Sequence, residues 1–274
     1  MSRPFFKLMK TITSLDNSIV KMVSSLAEKK FRDREGLYIL EGPSRIAEAL
    51  DANGKARFIF IRAESSSEEA RSLAEKADAK GLAVYEVSDS VFKKLSQTET
   101  PQGILAVLEK PSYARDDFFK ACLGKNLLVL DRVQDPGNIG TLLRTAEAAG
   151  FGGAVVIKGS GDPFSPKAVR AASGATERFP IIFTESANDT AAMLRSKGKR
   201  IFATAMDGAT IYYKADLRKD AAIIVSNEGN GASLEILEAA DEILSIPMDG
   251  KTESLNAAIA SGIIMFESRR QNHD

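Results

Sequence analysis

The sequence predicts an α/β protein built on a parallel sheet, because short β-branched runs alternate with Ala- and Leu-rich stretches of helical period. Several of the apolar runs show no alternation, the pattern of central strands covered on both faces. Candidate strands fall at 37–42, 58–61, 83–87, 103–108, 127–130, 154–157, 180–183, 200–204, 221–225 and 242–246. The pattern breaks at 109–125, where Lys110-Pro111-Ser112-Tyr113 signals a turn and Arg115-Asp116-Asp117 reads as a charged connector. The 274 residues therefore divide into a smaller domain at 1–108, a linker at 109–125 and a second domain at 126–274.

The first domain opens with an expected helix over 18–30. Lys21, Lys29, Lys30, Arg32, Arg34 and Arg45 outnumber Glu28, Asp33, Glu35 and Glu41 there, and Arg3, Lys7 and Lys10 precede them. Lys29, Lys30, Arg32 and Arg34 are candidate phosphate contacts, although a solvated helix face shows the same excess. The strand at 37–42 then feeds a helix at 44–50.

Composition excludes whole classes of chemistry. Lys plus Arg and Asp plus Glu are 37 each, so a uniformly basic nucleic-acid coat is excluded and any such contact must use a local patch. The only cysteine is Cys122 and the only histidine is His273. An intramolecular disulfide and a CxxC site have no residues to use, a Ser-His-Asp triad, a Cys-His pair or a multi-histidine metal site would have to borrow His273 near the chain end or a second subunit, and no metal is expected. The chain lacks the apolar run of a membrane span and, near its start, the apolar core of a signal peptide, so a cytoplasmic protein is expected.

Three segments carry polar residues beyond strand ends, where α/β sheets place ligands. In the first, a buried strand at 127–130 runs through Asp135-Pro136-Gly137 into a helix bearing Asn138 and Arg144, with Leu142, Leu143, Ala146 and Ala149 on its apolar side and Gly150 as its stop. Asn138 could simply cap that helix and Arg144 simply face solvent. Gly137 and Gly140 do not form the G-x-G-x-x-G of a dinucleotide site. In the second, the strand at 221–225 ends in Ser226-Asn227-Glu228-Gly229-Asn230-Gly231, one carboxylate inside a permissive loop, or only a turn. In the third, Ile246-Pro247-Met248 leads through Ser254-Leu255-Asn256 into a final helix, with Ser254 and Asn256 at its first turn. Leu255, Ala258, Ile259, Gly262, Ile263 and Phe266 form an apolar stripe that reads as core or subunit interface.

In this order and spacing the three segments resemble the motifs of the SpoU/TrmH family of RNA ribose 2′-O-methyltransferases. Asn138-Ile-Gly140-Thr-Leu-Leu-Arg144 is similar to the first motif, Ser226 to Gly231 to the second, and Ile246-Pro-Met248 through Ser254-Leu-Asn256 to the third. More loosely, Phe31 to Gly36, Glu41-Gly42 and Thr100-Pro-Gln-Gly103 resemble the substrate-binding domain of the members that modify large-subunit ribosomal RNA.

The resemblance implies a deep trefoil knot in the second domain, a homodimer, an RNA substrate of ribosomal origin, and S-adenosyl-L-methionine as methyl donor. It places the donor against Thr204, Ala205, Ser226, Asn227, Glu228, Gly229, Ile246, Pro247, Met248, Ser254, Leu255 and Asn256. It makes Asn138, Arg144, Glu228, Ser254 and Asn256 the catalytic set, and it turns the segment 162–174, with Lys167 and Arg170, toward RNA. Within that segment Ser165 suits an N-cap and Pro166 a first helical position. One departure stands out: the family usually carries glycine at the position of Ser226, so a strained or shifted loop and weaker donor binding are expected. Because an arginine stays protonated, Arg144 is expected to act electrostatically rather than as a base. A transfer-RNA substrate and a non-catalytic RNA-binding module are the alternative readings.

Overall fold

The structure is a computed structural model that describes residues 10–52, 54–64, 67–205, 209–250 and 254–273. Arg3 and Lys7 of the expected basic arm lie outside these residues. The chain divides into two compact units, one of residues 1–110 with 164–166, the other of 111–163 with 167–274.

The first unit runs β1 (Lys10–Ile12), α1 (Ser18–Ser25), α2 (Lys29–Glu35), β2 (Leu37–Glu41), α3 (Pro43–Asp51), β3 (Ala56–Arg62), α4 (Glu68–Ala79), β4 (Ala83–Val87), α5 (Asp89–Leu95) and β5 (Ile104–Glu109). Its sheet has the order β1-β4-β3-β5-β2, with β5 antiparallel to both of its neighbours. Val20, Val23, Leu26, Phe60, Phe92 and Leu105 lie within the core that α1 and α5 share with one sheet face. The helix expected over 18–30 is two helices. Arg32 explains the break: its Nη1 donates to the carbonyls of Leu26 and Ala27, both at 2.7 Å, so the turn just past α1 is held by a side chain of α2.

The second unit runs α6 (Arg115–Ala121), β6 (Leu127–Asp131), α7 (Pro136–Ala148), β7 (Gly153–Ile157), α8 (Pro166–Ala172), α9 (Ala175–Arg178), β8 (Ile181–Thr184), α10 (Ala187–Ser196), β9 (Arg200–Thr204), β10 (Thr210–Ile211), β11 (Ala221–Ser226), α11 (Leu234–Ala239), β12 (Glu242–Ser245) and α12 (Ala257–His273). Its seven strands pair in parallel in the order β10-β12-β9-β11-β6-β7-β8. Every residue of β6, β7 and β11 is buried, as the unbroken apolar runs predict. The segment read as a linker holds α6, whose Phe118 and Phe119 are buried in this unit's core beside Leu127 and Val155. Charged connector residues hid an amphipathic turn.

The strand order positions the site. After β8 at one edge the chain crosses to β9, and β11 then enters between β9 and β6. The loops after β12, β9, β11 and β6 thus leave four neighbouring strands at the same carboxyl edge.

At the other edge of the sheet, Asn126 holds α12. Its Nδ2 donates to the Leu217 carbonyl at 2.9 Å and to Ser268 Oγ at 2.7 Å, while its Oδ1 accepts from Ala221 N at 2.8 Å. Gln271 adds bonds to Leu217 N and the Ala215 carbonyl. These contacts fix the polar inner face of α12, where Ser261 and Ser268 are buried with Ala258, Ile264 and Met265. The apolar stripe expected there is split: Ala258 is inside, but Ile259 and Phe266 are 58% and 49% exposed. Asn126→Ala strands buried partners and is expected to destabilise this unit by about 2–4 kcal/mol in urea unfolding; a loss under about 0.5 kcal/mol would show that α12 is held by other means.

Candidate active site

Three side chains from the three motifs form one directed chain of hydrogen bonds. Asn256 caps α12, its Oδ1 accepting from Ala258 N at 2.9 Å and Ile259 N at 3.3 Å. That commits its oxygen to the helix and leaves Nδ2 to donate outward, which it does to Asn138 Oδ1 at 3.1 Å. Asn138 must then present its own Nδ2 to the next group, and it donates to Glu228 Oε1 at 2.9 Å. The chain ends on a carboxylate whose second oxygen meets Gln134 N at 3.4 Å. Asn138, Glu228 and Asn256 are therefore brought together.

The true cap of α7 is Asp135, with Asn138 in the first turn. Asp135 Oδ1 accepts from Asn138 N at 2.9 Å and Oδ2 from Lys167 Nζ at 2.7 Å. The Lys167 ammonium, and after it the Asn138 N–H, hold the Asp135 carboxyl below the usual aspartate value. Gly140 is needed for packing rather than for a nucleotide: a Cβ there would lie 2.6 Å from Ala171 Cβ, so only glycine lets α8 approach α7.

The loop after β11 is stitched to the loop after β6. Asn227 Nδ2 donates to the Arg132 carbonyl at 3.0 Å, and its Oδ1 accepts from Gly229 N at 3.0 Å and Asn230 N at 2.8 Å. Buried Asp131 accepts from Ser233 N at 3.0 Å. Arg132 has φ of 58°, one of three non-glycine residues with positive φ among those described. Such a conformation costs on the order of 1 kcal/mol. Sequence reasoning missed Arg132, Gln134 and Asp135. Asp135-Pro136 carried an N-cap signal, whereas nothing in the sequence marks an arginine for left-handed backbone.

The donor-binding set gathers at the same edge. Ser226 ends β11 in register with Asp131, and Thr204 ends β9, where its Oγ1 donates to the Ile224 carbonyl at 3.1 Å. Ala205 N donates to the Leu244 carbonyl at 3.0 Å. Ser226 is 7% exposed, and its Oγ has no hydrogen-bond partner among the described residues. It has ordinary strand backbone rather than positive φ, so the strain expected from serine at this position does not arise. Met248 is 40% exposed, and Ser254 and Gly229 are also exposed. Ser254 lies outside α12 rather than in its first turn.

Arg144 is not part of the hydrogen-bonded chain. Six residues beyond Asn138 on α7, it lies about 9 Å further along the axis and about 120° round from it. It is exposed and pairs with no described residue.

The expected RNA contacts differ from one another. Arg32 is 3% exposed and spent on α1, so its guanidinium is turned inward, away from any phosphate. Lys29 pairs with Asp33, Lys30 with Glu28 and Arg34 with Glu35, all on the surface, and Lys30 and Arg34 lie 4.7 and 4.8 Å from the Phe31 ring centroid. Lys167 and Arg170 are exposed on α8.

Comparison with known proteins shows the family. Residues 125–266 match the SpoU rRNA Methylase family and residues 17–106 an MRM3-like substrate binding domain. The chain is 33% identical over 262 residues to the 23S rRNA (guanosine(2553)-2′-O)-methyltransferase RlmP of Bacillus subtilis, covering 95% of this chain and 100% of that protein. It is 33% identical to the 23S rRNA (guanosine-2′-O-)-methyltransferase RlmB of Coxiella burnetii over 78% of this chain and 87% of that one. The crystal structure of an AdoMet-bound rRNA methyltransferase from Sinorhizobium meliloti superposes with a TM-score of 0.85 at 33% identity, over 96% of this chain and 98% of that chain. The chain belongs to the SpoU rRNA methylase family of S-adenosylmethionine-dependent enzymes.

Lys167→Met tests the electrostatics at the start of α7. The Asp135 carboxyl is depressed in the folded protein, so its contact with Lys167 stabilises above about pH 4 and is lost as pH falls through the depressed value. The variant is expected to move the Asp135 titration, followed by carboxyl NMR, upward toward about 3.9. An unmoved titration would rule out the lysine as its cause.

Proposed function

We propose that this protein transfers a methyl group from S-adenosyl-L-methionine to a ribose 2′-hydroxyl of 23S ribosomal RNA in the cytoplasm. The observation that carries the proposal is the directed chain Asn256–Asn138–Glu228, which ends on an exposed carboxylate beside the Ser226 to Gly231 loop. Names of full-length relatives at 33% identity support the ribosomal substrate over transfer RNA and over a non-catalytic module.

The residues at the sheet edge suit the donor. A buried, unpartnered hydroxyl at Ser226 suits a ligand rich in hydrogen-bonding atoms, since an orphaned buried hydroxyl is unfavourable by about 1–3 kcal/mol. Ser226, Glu228, Gly229, Thr204-Ala205, Ile246 to Met248 and Ser254 to Asn256 would hold S-adenosylmethionine. When bound, it supplies an electrophilic methyl on a sulfonium.

The chain's own residues then act on the acceptor. Glu228 accepts a hydrogen bond from the 2′-hydroxyl and holds its proton at Oε2, the carboxylate oxygen with the longer contact. Asn138 and Asn256 fix that carboxylate. Alignment of this kind supplies several orders of magnitude in rate. Arg144, always a cation, pairs with RNA phosphate and the developing alkoxide.

Because Arg144 is exposed and makes no hydrogen bond to the relay of its own chain, we assign it to the relay of a second copy in a homodimer. Exposed Ile259 and Phe266, one face of α12 seven residues apart, support such an interface, and α12 packs on α7. Threading of β12 and α12 through a knot belongs to the same reading. The cations Lys29, Lys30, Arg34, Lys167 and Arg170 would contact RNA phosphates, so binding should weaken steeply with salt.

Labelled S-adenosylmethionine with unmodified 23S ribosomal RNA is the direct test. Ribose label that is lost in Arg144→Ala and falls about tenfold or more in Arg144→Lys is expected; no label on any RNA would overturn the function. Unfolding and refolding Arg144→Ala together with Glu228→Ala should restore about a quarter of the activity through mixed dimers. Failure to complement, with both single variants inactive and dimeric, would return Arg144 to its own chain.

A further inference from the structure

We propose that the left-handed turn at Arg132, together with Asn227, positions Glu228, and that Asn227 serves the loop rather than the methyl donor. The inference rests on the reading of Glu228 as the group that orients the ribose hydroxyl.

Positive φ at Arg132 turns its carbonyl toward two side chains at once. Asn227 Nδ2 and Gln134 Nε2 both donate to it, each at 3.0 Å. These two residues flank Glu228 from opposite sides. Asn227 directly precedes it and folds the following backbone around it, with Oδ1 accepting from Gly229 N and Asn230 N. Gln134 places its backbone N–H on Glu228 Oε2 at 3.4 Å, and its amide also donates to the Gly159 carbonyl at 2.6 Å. The Arg132 carbonyl therefore ties the loop after β6 to that after β11, and the Gln134 amide carries the tie on to the loop after β7. The Arg132 guanidinium adds long contacts to Asp131 Oδ1 at 3.3 Å and the Gly231 carbonyl at 3.4 Å.

Asn227 uses both acceptor sites of its amide oxygen and one of its two N–H groups: one donor bond to Arg132 and two acceptor bonds from its own loop. Neither oxygen lone pair is left over, and one N–H remains. The residue is built to hold the loop, and its amide orientation is forced, because only the oxygen can receive two N–H groups. An aspartate at 227 keeps the two acceptor bonds but sets a carboxylate against the Arg132 carbonyl.

The experiment is a double-mutant cycle on methyl transfer to 23S ribosomal RNA, using Asn227→Asp, Glu228→Gln and both together, with S-adenosylmethionine binding followed by calorimetry. Asn227→Asp is expected to lower kcat about tenfold or more while donor Kd changes less than about threefold, and to have little further effect once Glu228 is replaced. Equal losses with and without Glu228, or a loss confined to donor Kd, would overturn the proposal. Arg132→Gly, which adopts left-handed backbone freely, should outperform Arg132→Val, which cannot. Equal kcat in these two variants, both folded by circular dichroism, would also overturn it. If instead the unaltered enzyme bound the donor but methylated no RNA, the functional reading would fail, whereas an additive cycle in an active enzyme removes the positioning role alone.

Discussion

The free N–H groups at the start of α12 decide which way the site points. A helix N-terminus offers donors without partners, so the capping amide has no choice but to turn its oxygen inward. In Asn256 that choice propagates: nitrogen outward, then oxygen and nitrogen of Asn138, then the carboxylate of Glu228. Each asparagine carries one acceptor and one donor end, so the polarity set at the helix arrives unchanged at the last member. An ionised aspartate in either place could accept but not donate, so it would not carry the same direction.

This arrangement needs three distant stretches of chain at one place, and the sheet supplies it. Parallel strands all end at the same edge, and insertion of β11 between β6 and β9 makes neighbours of loops about 90 residues apart in sequence. At the far end of the sheet, Asn126, Ser268 and Gln271 fix α12. The helix is thereby fastened along its length before its first turn is asked to orient anything. The small residues at 137 and 140 belong to the same economy of space, since α8 lies against α7 where Gly140 has no side chain.

Much of this was legible because it follows from period and position. Unbroken apolar runs identified the central strands, and position just beyond them singled out Asn138, Glu228 and Asn256, which only the resemblance to the SpoU/TrmH motifs joined into one set. Other features have no one-dimensional signature. Arg32 looked like a surface cation because its sequence neighbours are charged, and only the folded chain shows it closing α1. The buried side of α12 was only partly legible because Ser261 and Ser268 count as polar, although each satisfies its hydroxyl on a backbone carbonyl, Ala257 or Leu217. Hydrophobic periodicity therefore pointed to Ile259 and Phe266, which face outward. Strain expected at Ser226 is absent, and in the loops after β6 and β11 the left-handed residue is instead Arg132, a residue type that gives no warning of it.

The most direct test of the relay is Asn256→Asp, followed by melting temperature and methyl transfer to 23S ribosomal RNA. Aspartate caps a helix as well as asparagine does, so the melting temperature should stay within about 2 °C. It cannot donate to Asn138, which would have to turn its own oxygen toward Glu228, and turnover should fall by about a hundredfold. A stable variant with near-normal turnover would contradict the claim that α12 sets the direction of the site.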